Sequence, residues 1–145
     1  MLTISHAIIG ASIATKIPNP AVSLPAAFVL HFLCDLFPHW DVGVNRRNRS
    51  RRQTFILAFI DVLLAFLITF ILFFNNLNPG FLLIMIFVST LPDWIEAPYL
   101  FLGWNFFPFG PMYRFQAKLQ TKTQLPLGFF TQLLVVSLFY FLSRR

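Results

Sequence analysis

The acids Asp35, Asp41, Asp61, Asp93 and Glu96 and the histidines His6, His31 and His39 are the groups in this sequence that could hold a metal or move a proton near neutral pH. All but Asp41 lie within or at the end of a long apolar run, and Asp41 follows directly after one. His31, Asp35 and His39 recur every fourth residue, so a helix through them stacks the three on one face. Asp93 and Glu96 are three apart and share a face in the same way. Imidazole and carboxylate donors without thiolate suit zinc first, with manganese or iron as alternatives. Cys34, the lone cysteine, reads as a small apolar filler. The candidate ligands of a divalent metal are therefore His6, His31, Asp35, His39, Asp41 and Asp93. Such a metal lowers the pKa of a bound water. Glu96 and Asp61 are then the candidate catalytic groups, as general base or as a partner that orients a ligand.

The elements that must position these groups are apolar helices. A bilayer core takes about 20 apolar residues per helix. Runs of that kind predict helices over about 2–16, 20–37, 54–74, 80–102 and 126–142, all in one transmembrane domain. The first run has no basic start and no cleavage pattern, and reads as a retained helix packed against the second. Asn19-Pro20 is a cap followed by a first-turn proline. Residues 75–79 form a tight turn. Pro38 ends or kinks the second helix, and Pro92 breaks the fourth. Residues 103–125 are dense in aromatics, with Pro108, Gly110 and Pro111 expected to prevent a continuous helix, and predict an interfacial segment, either a lid or a membrane anchor. A short repeat, Pro38-His39-Trp40 against Pro92-Asp93-Trp94, suggests two related helical hairpins.

Composition agrees with an all-α integral membrane bundle. Hydrophobic residues make up 57% of 145 and charged residues 11%, against roughly 25% charged in soluble domains. One cysteine excludes a disulfide scaffold, and the apolar content excludes disorder. Arg46, Arg47, Arg49, Arg51 and Arg52 crowd one connection, while the turn over 75–79 carries no charge. The positive-inside rule puts the 46–52 loop in the cytoplasm, with the chain a multi-pass protein of a cell's inner boundary membrane. A rise of about 1.5 Å per residue then sets Asp35, Asp61, Asp93 and Glu96 roughly 9–13 Å deep from that same side. His6 falls near the same end. Each buried charge costs about 2.5–3.5 kcal/mol at a helix centre. No basic residue inside the runs is there to neutralise them, so a bound cation is the simplest compensation, with protonated carboxylates as its main competitor.

At His6, and then across His31-Phe-Leu-Cys-Asp35-Leu-Phe-Pro-His39-Trp-Asp41, the chain resembles small bacterial membrane proteins described as membrane-bound metal-dependent hydrolases. The resemblance covers about the first 41 residues plus Leu91-Pro92-Asp93. It implies hydrolysis of a phosphoester or related bond, with a lipid-like substrate. Many members carry a second histidine-bearing stretch. This chain has only three histidines, so that part of the site is carboxylate here or the family activity is absent. The readings that compete are an ion- or proton-coupled carrier, which at five spans would need a homodimer, and a structural protein whose polar groups pair helices. Membrane lipids are the expected partners. The arginine loop sets orientation, with anionic headgroups as its alternative duty. Nucleic acid is not expected, because no aromatic interleaving accompanies the basic run.

Overall fold

The computed structural model describes all 145 residues and is helical throughout. Six helices follow in order: α1 (Thr3–Lys16), α2 (Pro20–Asp35), α3 (Arg51–Phe73), α4 (Pro79–Leu102), α5 (Phe109–Leu119) and α6 (Leu127–Arg144). A single 3-10 turn, Arg46–Asn48, sits in the arginine loop. Helix starts are locally encoded. Asn19 and Asn78 each precede a proline and cap the amides of the first turn. Ser50 and Gln53 form a reciprocal capping box at the head of α3. Gly103 ends α4 at φ 77°, a left-handed cap that favours glycine.

The packing is centred on α1, which touches α2, α3, α4 and α6. Eleven of its fourteen residues are buried. Its inner positions are small, Ala7, Gly10, Ala11, Ser12 and Ala14, which lets neighbouring backbones come close. A Cβ on Gly10 would stand 2.5 Å from Ser89 Cβ on α4. Thus α1 is the hub of the bundle, more than a partner of α2 alone.

The outer helices are built the other way round. In α6 only Gly128 and Gln132 are buried, while Leu134 is 71% exposed. In α3 the buried face carries Thr54, Asp61, Ala65, Thr69 and Phe73, and Leu67 and Ile71 face outward. Three helices, α3, α4 and α6, are long and apolar enough to cross a membrane, and α2 is apolar but shorter.

Three expectations change. The α4 helix runs unbroken through Pro92 and Pro98. Beside Pro92 the carbonyls of Ser89 and of Pro92 itself accept side-chain donors from His31 and Gln116. The 103–125 segment contains α5, whose Gly110 and Pro111 fall in the first turn, where a missing amide costs nothing. Finally, α2 ends at Asp35, so Pro38 lies beyond it and His39 is not on its face. The Pro38 and Pro92 segments therefore differ in local structure, which removes that support for a repeat.

Gly10→Ala is expected to lower the melting temperature in detergent, with overpacking costs of about 1–3 kcal/mol. Pairing it with Ser89→Gly should recover part of the loss in a double-mutant cycle. Additive losses would show that this contact does not set the α1–α4 approach.

Candidate metal centre

Asp35, the last residue of α2, is the centre of the polar cluster. It is 1% exposed. Its Oδ1 lies 3.2 Å from His6 Nε2 and 3.7 Å from His39 Nε2, and its Oδ2 lies 3.7 Å from His31 Nε2. Gln120 Nε2 donates to Oδ2 at 3.2 Å, and the Met1 amino group meets Oδ1. Asp93 adds a second carboxylate, 3.5 Å from His31 Nε2. His6, His31 and Asp93 offer ligand atoms that all fall within 4.8 Å of one another, a group that could hold a metal ion.

The hydrogen bonds fix which ring nitrogens face the cluster. His31 Nδ1 is 2.8 Å from the Ser89 carbonyl, and His39 Nδ1 is 2.8 Å from the Phe37 carbonyl. A carbonyl only accepts, so in both rings Nδ1 carries a hydrogen. A neutral ring then presents the Nε2 lone pair inward. A ring hydrogen held by a backbone carbonyl in this way is what orients metal-binding histidines. The groups facing His31 Nε2 are acceptors too: Asp93, Asp35 and, at 3.2 Å, Gln116 Oε1. Gln116 cannot turn over without facing its oxygen at the Pro92 carbonyl, to which its Nε2 donates at 3.0 Å. Lone pairs meeting lone pairs need either a cation or an added proton on the ring. His6 Nε2 and His39 Nε2 are buried without any hydrogen-bond partner, although carboxylate oxygens stand 3.2–3.8 Å away. Ligands sharing a tetrahedral zinc at about 2.0–2.1 Å stand about 3.3 Å apart, so these separations suit a cation that replaces the missing protons.

His39 arrives by a strap. Residues 121–123 pair with it as an isolated parallel bridge: His39 N–H donates to the Thr121 carbonyl at 3.0 Å, and Thr123 N–H donates to the His39 carbonyl at 2.8 Å. Trp40 N–H donates to the Gly128 carbonyl at 3.1 Å, and a Cβ on Gly128 would lie 2.7 Å from Trp40 N. The strap also supplies Lys122, whose Nζ is 2.9 Å from Asp41 Oδ2. A basic group does therefore reach the acids, contrary to expectation, from a loop outside the apolar runs. Burial works against the charge on Asp41, but the Lys122 ammonium beside it holds that carboxyl below the usual carboxylate range. Lys122 is shifted upward; burial again opposes, and the facing Asp41 carboxylate prevails.

Asp61 takes a different post. Its Oδ2 accepts the Thr3 amide at 2.7 Å and its Oδ1 the Ile4 amide at 3.3 Å. The capping residue of α1, Leu2, has no side chain for this, so α3 caps α1 across the bundle. Asp61, Asp93, Glu96 and Asp41 all line one cavity of about 1140 Å³. Phe55 and Phe59 from α3 and Trp94 and Phe101 from α4 form the apolar part of its wall. Arg46, Arg47 and Lys122 also line it. Sequence reasoning missed Gln116, Gln120 and Gln132. Gln132 Oε1 accepts the Leu2 amide at 3.3 Å. The four-residue spacing of Gln116 and Gln120, and one glutamine inside an uncharged run, were the available signals.

No protein-family model, curated protein or solved structure matches this chain. The geometry alone carries the reading of the site.

Asp61→Ala should cost about 1–2 kcal/mol, the usual loss of a helix cap, and Asp61→Asn less because one acceptor remains. Thermal unfolding in detergent checks this, and an unchanged Asp61→Ala would remove the capping role.

Proposed function

We propose that this protein is a membrane-embedded, metal-dependent hydrolase that cleaves a phosphoester or related bond of a lipid-like substrate. One observation carries the reading: acceptor-rich imidazole and carboxylate groups adjoin a large cavity with a partly apolar wall and basic residues. Membrane insertion is supported by the three long apolar helices and by their outward-facing leucine, isoleucine and phenylalanine side chains. The arginine loop and α5 lie at the site's end of the bundle, while Arg144 Nη1 donates to Asn76 in the turn at the other end. By the positive-inside rule the site then faces the cytoplasm, in a bacterial inner membrane. The resemblance at His6, His31 to Asp41 and Leu91 to Asp93 points the same way, and those residues are the ones that converge.

In this reading His6, His31 and Asp93 hold the metal, with Asp35 beside them. An ion held there would supply a water of lowered pKa. Glu96, half-buried on the same face of α4 as Asp93, accepts the proton as the water oxygen bonds to phosphorus. The ester P–O bond breaks, and the leaving oxygen is protonated from solvent. Arg46, Arg47 and Lys122 draw the anionic headgroup, and the α3 and α4 aromatics receive its apolar chain. Asp61 keeps α1, and so His6, in place.

The test is hydrolysis of a long-chain phosphodiester in mixed micelles by the purified full chain. Chelator should abolish turnover, and zinc or manganese should restore it. Glu96→Gln should lower kcat about 10²–10⁴-fold, and Arg46→Gln with Arg47→Gln should chiefly raise KM. Absence of metal-dependent turnover in folded protein, across zinc, manganese and iron, would overturn the reading.

A further inference from the structure

The acceptor groups do not all face one point, and their arrangement divides at Asp35. On one side stand His6, His31 and Asp93. On the other stand His39 and Asp41. His39 Nε2 is 3.7 Å from Asp35 Oδ1 and 3.8 Å from Asp41 Oδ2, and neither contact is a hydrogen bond. We infer that the cluster holds two divalent cations, one at His6, His31 and Asp93 and a second at His39 and Asp41, with the Asp35 carboxylate bridging them.

Four observations support the second position. His39 is fully buried, and its Nε2 has no partner. Its Nδ1–H is fixed by the Phe37 carbonyl, so the lone pair is held toward Asp35 and Asp41. The separations of 3.7 and 3.8 Å are slightly wider than the about 3.3 Å of ligands on a tetrahedral zinc, so a small inward turn of the side chains lets them share one ion. Asp41 is already immobilised, because its Oδ1 accepts the Val44 amide at 3.0 Å and leaves Oδ2 to face inward. Lys122 Nζ also approaches that oxygen, and a carboxylate oxygen has two lone pairs. The Lys122 ammonium therefore sits beside the second ion, as does the Met1 amino group on Asp35 Oδ1, and both disfavour it electrostatically. The inference rests on the hydrolase reading and deepens it. Two neighbouring ions can clamp the attacking and the leaving oxygen of an in-line displacement at phosphorus, which narrows the substrate to phosphate esters.

The test is equilibrium titration of chelator-stripped, detergent-solubilised full chain with zinc alone, read by calorimetry and by metal content. All three histidines and the cysteine are interior, so tight zinc reports on this cluster. Two equivalents should bind the wild type. His39→Ala and Asp41→Asn should each bind one, with the remaining affinity within about threefold of the tighter wild-type site. Should either variant fail to fold, Lys122→Met gives an independent reading: removal of its charge should tighten the weaker equivalent several-fold and leave the other unchanged. One equivalent in the wild type, whether His39→Ala keeps or loses it, overturns the second position and leaves the one-metal hydrolase standing. An unchanged weaker site in Lys122→Met also overturns it. No zinc in folded wild type overturns the metal reading as a whole.

Discussion

A carboxylate buried at a helix end must be met by positive charge or donated protons, because water is not there to solvate it. Asp35 is in that position: the Met1 amino group meets one of its oxygens and Gln120 donates to the other, while His31 and His39 turn ring lone pairs toward it and His6 Nε2 stands 3.2 Å away. The inner nitrogens of His6 and His39 beside it remain without a partner, and the surrounding arrangement follows from that deficit. Carbonyls at Ser89 and Phe37 take the outer ring hydrogens of His31 and His39, which turns the inner nitrogens toward the carboxylates.

The bundle meets the requirement through close backbone approach. Small residues on α1 let α4 pass at Gly10, and His6 sits one turn away. Asp61 holds the head of α1 from α3. Gly128 lets the start of α6 lie against His39 and Trp40. The outward faces of α3 and α6 are apolar and contribute little to this interior. They present an apolar surface of the kind that lipid solvates, and the polar end is formed from within.

Depth along each helix was legible in the sequence, because a fixed rise places His6, Asp35, Asp61 and Asp93 at one end of the bundle. Rotation about each helix was not, since it depends on packing. His31 and Asp35 share a helix face as their spacing requires, whereas His39 reaches the same carboxylate only through the strap at 121–123. Lys122 was invisible for the same reason: its partner Asp41 is 81 positions away and joined through backbone pairing. Pro92 misled, because a proline was expected to break a helix that runs through it. The glutamines left no charge signature, yet Gln116 links α5 to both His31 and Pro92. Asp61 was readable as a buried acid at the right depth, but not as the cap of another helix.

The central claim is that imidazole lone pairs and carboxylates, and no sulfur, form the inner sphere of a bound metal. X-ray absorption at the zinc edge, on protein loaded with one equivalent of zinc, tests it most directly. The account predicts a nitrogen and oxygen shell at about 2.0–2.1 Å with the outer-shell scattering of at least two imidazoles, lost in Asp35→Asn. A shell with sulfur, a shell of water oxygens without imidazole, or a folded protein that retains no zinc would contradict it.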